Sequence, residues 1–192
     1  MTDEITQNIV QTYFDIDKAT KEHGFTMPSE IKTCSLLRTL AASKSSSKFL
    51  ELGTGTGLST SWILDGMDKD SMIVSFDNDE SLLDIAHTFL GNDTRLNLVK
   101  SDGEDWIKAN EGQKFDYIFA DTWHGKYLLL DEVLAMLNKG GFYIIDDLLP
   151  QENWPEGHHQ KAINLIEYLE KREDLLLTKQ EWASGIIVAV KR

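Results

Sequence analysis

Cysteine is almost missing from this 192-residue chain: the single Cys34 excludes an internal disulfide framework and any CxxC metal or redox motif. Proline is scarce as well, at three residues, and no low-complexity tract exceeds SKSSSK at 43–48, so no linker divides the chain. Basic residues are outnumbered, with 19 Lys+Arg against 32 Asp+Glu and a net charge of −13, which excludes a general phosphate-backbone binder and makes nucleic acid an unexpected partner. No apolar run approaches the ~18–20 residues of a membrane span, and the opening MTDEITQNIV lacks the basic-then-apolar layout of a signal peptide. The expectation is a cytoplasmic protein with no membrane partner. What is present is a 41% hydrophobic fraction with 9% aromatics, enough for a sizeable core in a single domain over residues 1–192. Cys34 lies in the apolar-periodic stretch IKTCSLLRTL and reads as a buried thiol rather than a nucleophile.

Residues 4–22 and 29–42 carry helical spacing of apolar residues, the second stretch opening on Pro28-Ser29-Glu30. The period then changes. KFLELG, MIVSFD, LNLVKSD, FDYIFAD and GFYIIDD are short, mostly apolar runs, each closing on glycine or an acid and each followed by helical character. Five such units predict a parallel sheet covered on both faces, an α/β doubly wound fold. After a helix over 157–171, LLLTKQEW and SGIIVAVKR are strand-like with only a short region between them, which permits an antiparallel hairpin but no parallel crossover. The sheet is therefore expected to be seven-stranded and mixed, with the last strand antiparallel.

Glu51-Leu52-Gly53-Thr54-Gly55-Thr56-Gly57 follows the first strand and precedes the helix LSTSWILDGM, where an open α/β sheet binds ligands. Glycines there permit a tight turn and close backbone approach, and the helix start offers free N–H groups. The spacing departs from G-x-G-x-x-G, since Leu58 stands where the third glycine should fall, and no Gly-Lys-Ser/Thr follows to make a Walker loop. The second strand ends at Asp77-Asn78, where an acid can accept bonds from both ribose hydroxyls. The third ends at Asp102-Gly103, where a carboxylate and a backbone N–H suit an adenine edge. The competing reading of Asp77 and Asp102 is as caps for the helices that follow them.

ELGTGTGLST with SFDND, SDGED and FDYIFAD resembles the class I S-adenosylmethionine-dependent methyltransferases, and more closely the small O-methyltransferases related to catechol O-methyltransferase, particularly bacterial ones of unassigned substrate. The resemblance covers roughly residues 25–192 and implies a Rossmann-like fold. Residues 1–42 would supply helices to the acceptor site, and 47–192 would form the cofactor-binding core. It implies S-adenosylmethionine as cofactor, with Glu51 and the Gly53, Thr54, Gly55 and Gly57 loop at the methionine amino group and Ser59 at its carboxylate. Asp77 would take the ribose and Asn78, Asp102 and Gly103 the adenine; Asp121 would touch the cofactor's methionine, and Trp123 would pack against the adenine or the methyl-transfer region.

Asp121 closes the fourth strand and Asp146-Asp147 the fifth. Were those strands neighbours, as the resemblance implies, three carboxylates would converge and repel unless a cation or protons intervened, and oxygen ligands suit Mg²⁺ or another divalent cation. In the catechol-type enzymes the matching positions hold such a metal. Here Asp147 stands in place of the family's Asn, and His124 stands where its lysine is expected, with Lys126 two residues late. Two readings stay open: a metal at Asp121, Asp146 and Asp147 with His124 or Lys126 assisting, or no metal, with His124 as the base. Residues 150–160, with Trp154, His158 and His159, should form part of the acceptor wall. The expected function is O-methylation of a small molecule, the alternatives being a cofactor-binding module without turnover or a nucleotide-dependent oxidoreductase. Residues 4–22 could seat a second subunit in a homodimer.

Overall fold

The computed structural model describes residues 4–5, 8–151 and 154–192. A seven-stranded sheet runs in the order β3-β2-β1-β4-β5-β7-β6. Its strands are β1 Lys48–Leu52, β2 Met72–Asp77, β3 Leu96–Lys100, β4 Phe115–Ala120, β5 Leu137–Ile145, β6 Leu175–Gln180 and β7 Ile186–Lys191. Strands β1 to β5 pair in parallel, and β7 lies antiparallel between β5 and β6, the mixed ending expected of a short last connection. β5 begins four residues before the apolar run GFYIIDD because Leu137 pairs Phe115 across a register shift.

Period-two alternation sorts the strands' side chains onto two faces. Leu50, Leu52, Ile118, Ala120, Tyr143 and Ile145 point to one face, packed by α5 (Gly103–Ala109), α6 (Leu130–Ala135) and α7 (His158–Glu170). Phe49, Tyr117, Phe119 and Ile144 point to the other, under α1 (Gln11–His23), α2 (Ile31–Ala41), α3 (Leu58–Gly66) and α4 (Glu80–Leu90). Cys34 is fully buried in α2 and its thiol is pushed well up by burial, as expected of a core thiol.

α1 is shorter than the 4–22 stretch: it starts after Val10, which is extended, and ends on Gly24 at φ 82°. Its apolar face is used within the chain, where Ile16 is buried in the second cluster and the Thr20 hydroxyl meets that of Thr56 at 2.7 Å. Among the described residues no helix is long and apolar enough to cross a membrane.

Strand order reverses between β1 and β4, and such a switch point opens a crevice at the carboxyl ends of the strands. There the Asp121 N–H donates to the Leu52 carbonyl at 2.9 Å, bringing the β1 and β4 loops side by side.

Candidate active site

A cavity of about 620 Å³ opens at the switch point, within the range of small-molecule sites. Its walls come from the segment joining α1 to α2, the loops after β1, β2, β4 and β5, and the start of α7.

The glycine loop forms one wall. Gly53, Gly55 and Gly57 all have positive φ, of 96°, 52° and 91°. A Cβ on Gly53 would stand 2.9 Å from the Asp121 carbonyl oxygen, so only glycine lets the two loops touch. Gly57 serves the packing instead, because a Cβ there would press on Leu90 and Ala86; it permits α3 to lie against α4 and does not line the cavity.

Asp77 lines the cavity, and its carboxylate accepts the Gly55 N–H at 2.8 Å and the Asp79 N–H at 3.0 Å. It ties the glycine loop to the end of β2, while the cap of α4 falls to Asp79, which accepts from the Ser81 N–H. At β3 the cap reading holds instead. Asp102 accepts from the Glu104 N–H as the N-cap of α5, and neither Asp102 nor Gly103 lines the cavity.

Glu51 is also displaced from its expected place beside a ligand. Alternation on β1 turns it toward the α3 face, where it is fully buried and accepts from Ser59 at 2.7 Å, Thr60 at 2.5 Å and Ser75 at 2.6 Å. Burial pushes its carboxyl up to about 7, against the lowering effect of the three hydroxyls. Ser59 reaches the cavity but gives its proton to Glu51. The Thr54 hydroxyl faces that of Ser75 at 2.6 Å.

At the other end of the cavity, Asp121, Asp146 and Asp147 come together from β4 and β5, as the sequence implies. A fourth group is already among them. Lys126 is 6% exposed, lines the cavity and stands 3.2 Å from Asp121 Oδ1, while Ser29 donates to Oδ2 at 3.1 Å. Asp146 accepts from the Ser184 hydroxyl and from the Asp147 N–H, and burial next to Asp121 pushes its carboxyl up to about 7. Asp147 sits in the left-handed region at φ 63° and accepts from Trp154 Nε1 at 3.4 Å; burial raises its carboxyl as well. Among the described residues no three Asp, Glu, His or Cys side chains are arranged to hold a metal ion. An ammonium paired with Asp121 and protein donors on each carboxylate do not fit a divalent cation's oxygen shell.

Of the two candidate bases, the fold brings Lys126 to this end and leaves His124 outside. The His124 ring fills the space a Gly103 side chain would need and lies against the start of α5, away from the cavity lining. The cause is the turn after β4. The N–H groups of Lys126, Tyr127 and Leu128 all return to the Trp123 carbonyl, Gly125 takes φ 81°, and the buried Tyr143 hydroxyl donates to the Gly125 carbonyl. That turn swings Lys126 inward although it is two positions late in the chain. Tyr143→Phe should leave the Gly125 carbonyl without its donor, at about 1–2 kcal/mol, and urea unfolding should show the loss.

Aromatic rings complete the wall. Trp123, at the rim and 42% exposed, meets Tyr127 edge-on at 5.7 Å; Tyr127 meets His158 at 5.2 Å, and Trp154 covers His158 at 4.4 Å. His158 is buried with Nε2 3.2 Å from the Tyr127 hydroxyl, whereas His159 is exposed. Ser29, Tyr127 and Ser184 are not legible in the sequence as site residues, since only the spatial return of their loops brings them in.

A family model described as a methyltransferase domain matches residues 50–148. No curated protein matches the chain in sequence. Among solved structures, an O-methyltransferase from Bacillus cereus in complex with SAH is 18% identical with a TM-score of 0.85, over 98% of this chain and 94% of that one. TomG, an O-methyltransferase of tomaymycin synthesis from Streptomyces achromogenes in complex with SAM, is 18% identical with a TM-score of 0.81, over 94% and 89%. The SAH-bound methyltransferase PaMTH1 from Podospora anserina is 17% identical, also at 0.81, over 96% and 89%. At these identities the likeness is one of fold.

Proposed function

The chain belongs to the methyltransferase domain family, whose model covers more than half of it, and from that premise we propose that it uses S-adenosylmethionine to methylate an oxygen of a small molecule. The observation that carries this reading is the placement of Asp77. Its carboxylate stands in the cavity at the end of β2, anchored to the glycine loop through Gly55, where it can take two vicinal ribose hydroxyls. The donor set fits the cofactor. Gly53 and Gly55 let backbone approach closely, Asp121 offers a carboxylate to an amino group, and Asn78 and Leu82 continue the wall beyond Asp77 toward the place of a base. Asp77, Asp79, Asp121 and Asp147 give the cavity a negative potential that favours a cationic ligand.

Bound S-adenosylmethionine, which Gly53, Gly55, Asp77 and Asp121 would hold, would supply a methyl group on a sulfonium sulfur for transfer to the acceptor oxygen. The protein's part is to hold oxygen and methyl in line and to exclude water. The aromatic group of Trp123, Tyr127, Trp154 and His158 provides flat apolar surface for the acceptor beside Lys126. The setting is cytoplasmic, without nucleic acid.

Two measurements test the reading. Incubation with S-adenosylmethionine and a panel of hydroxyl compounds should yield methyl ethers by mass spectrometry, and the absence of transfer to every acceptor would favour a binding module. Asp77→Ala removes the acceptor for the Gly55 and Asp79 N–H groups along with the ribose contact. It should weaken S-adenosylhomocysteine (SAH) binding about tenfold, on the order of 1.4 kcal/mol, with the fold retained.

A further inference from the structure

We propose that Lys126 is the built-in cation of the acceptor end: its ammonium, paired with Asp121 at the end of the cavity that Asp146 and Asp147 also line, donates a hydrogen bond to the acceptor oxygen, so that methyl transfer needs no metal. The proposal rests on the methyltransferase reading above. Three carboxyl groups from the ends of β4 and β5 line one end of the cavity, where a positive neighbour or a bound proton relieves their mutual repulsion. Lys126 is buried beside them, and a buried ammonium is held there only by such partners. Among the described residues the one hydrogen-bond partner of its ammonium is Asp121, at 3.2 Å, which leaves donor capacity for a ligand in the cavity that Lys126 lines.

Each carboxyl group already accepts from protein donors: Asp121 from Lys126 and Ser29, Asp146 from Ser184 and the Asp147 N–H, Asp147 from Trp154. A metal would have to displace the ammonium and recruit oxygens that already accept these bonds. The turn that carries Lys126 is fixed by the Tyr143 hydroxyl on the Gly125 carbonyl, so the ammonium is placed before any ligand arrives, as electrostatic stabilisation requires.

In the step itself the acceptor hydroxyl loses its proton to water, its oxygen lone pair takes the methyl carbon, and the C–S electron pair returns to sulfur. The ammonium keeps its three protons throughout and stabilises the charge on oxygen before the new bond forms. The product is a neutral ether, for which the ammonium has less attraction.

The test titrates the full-length protein with Mn²⁺ as probe, read by the electron paramagnetic resonance of the free ion, beside methyl transfer in EDTA and in added Mg²⁺. Wild type should take up no Mn²⁺ at this site, and its turnover should be indifferent to EDTA and Mg²⁺. Lys126→Met, which keeps the side chain's bulk and removes the charge, should lower kcat about a hundredfold. Its SAH affinity should hold, and it should bind Mn²⁺ at least tenfold more tightly than wild type, because the carboxylates have lost their cation. Lys126→Gln serves if Lys126→Met does not fold. Stoichiometric Mn²⁺ uptake by wild type with activity lost in EDTA would overturn the proposal, as would full turnover of the Lys126 variants. Failure of wild type to bind SAH would instead strike the methyltransferase reading, while the Mn²⁺ titration would still decide the place of Lys126.

Discussion

Gly53→Ala should destabilise the protein by on the order of 3 kcal/mol and abolish measurable SAH binding. Two physical effects add. An alanine at φ 96° is strained by about 1–2 kcal/mol relative to glycine. Its Cβ would also stand 2.9 Å from the Asp121 carbonyl oxygen and 3.2 Å from the carbonyl carbon. Both are backbone atoms, so the β1 and β4 loops must part, and their separation is the width of the proposed cofactor site. A control separates the two: Gly140 has φ 77° with nothing within 4 Å of its Cβ position, so Gly140→Ala carries the strain without the clash. It should cost about 1–2 kcal/mol in urea unfolding and leave SAH binding intact. Equal losses from the two substitutions would show that contact between the loops is unimportant.

Glu51→Gln should gain on wild type as pH rises. The folded protein holds the Glu51 proton up to about pH 7, whereas a free glutamate titrates at 4.5. Between these values the folded state binds more protons than the unfolded chain, so rising pH removes stability through this window and takes no more above it. The loss from this one group is on the order of 3 kcal/mol. Glutamine stays neutral, and rotation of the Ser59 hydroxyl lets it accept from the new amide. Asp146, also pushed up to about 7, acts with the same sign in both proteins and cancels from their difference. Urea unfolding at pH 4.5 and 7.5 should therefore show the variant improving relative to wild type by up to about 3 kcal/mol. A difference that is flat with pH would mean that Glu51 is ionised in the fold from low pH.

The same residue shows what a sequence conveys and what it conceals. The strands are legible because apolar runs closing on glycine or acid encode both a period and an end, and the reversed last strand follows from a connection too short to cross the sheet. Glu51 lies inside such a run, and counting by twos from Phe49 places it under α3 rather than in the cavity. Asp77 and Asp102 look alike in sequence, yet they diverge. Asp79 supplies the cap of α4 and leaves Asp77 to the glycine loop, while α5 begins directly after Asp102 and takes its carboxylate.

Loop residues are the least legible. Linear counting places His124 at the chemistry and Lys126 past it, but three N–H groups returning to one carbonyl turn the chain back and reverse the order. The β5 tyrosine that braces this turn lies 18 residues beyond Gly125. The carboxylate cluster is legible as three acids at adjacent strand ends; the cation among them is not.

The measurement that bears most directly on the account is calorimetric titration of the wild-type protein with SAH and, separately, with NADH. A methyltransferase built on Asp77 and the glycine loop should bind one SAH per chain, with affinity reduced about tenfold by Asp77→Ala, and should not bind NADH. Binding of NADH with no heat from SAH would contradict it.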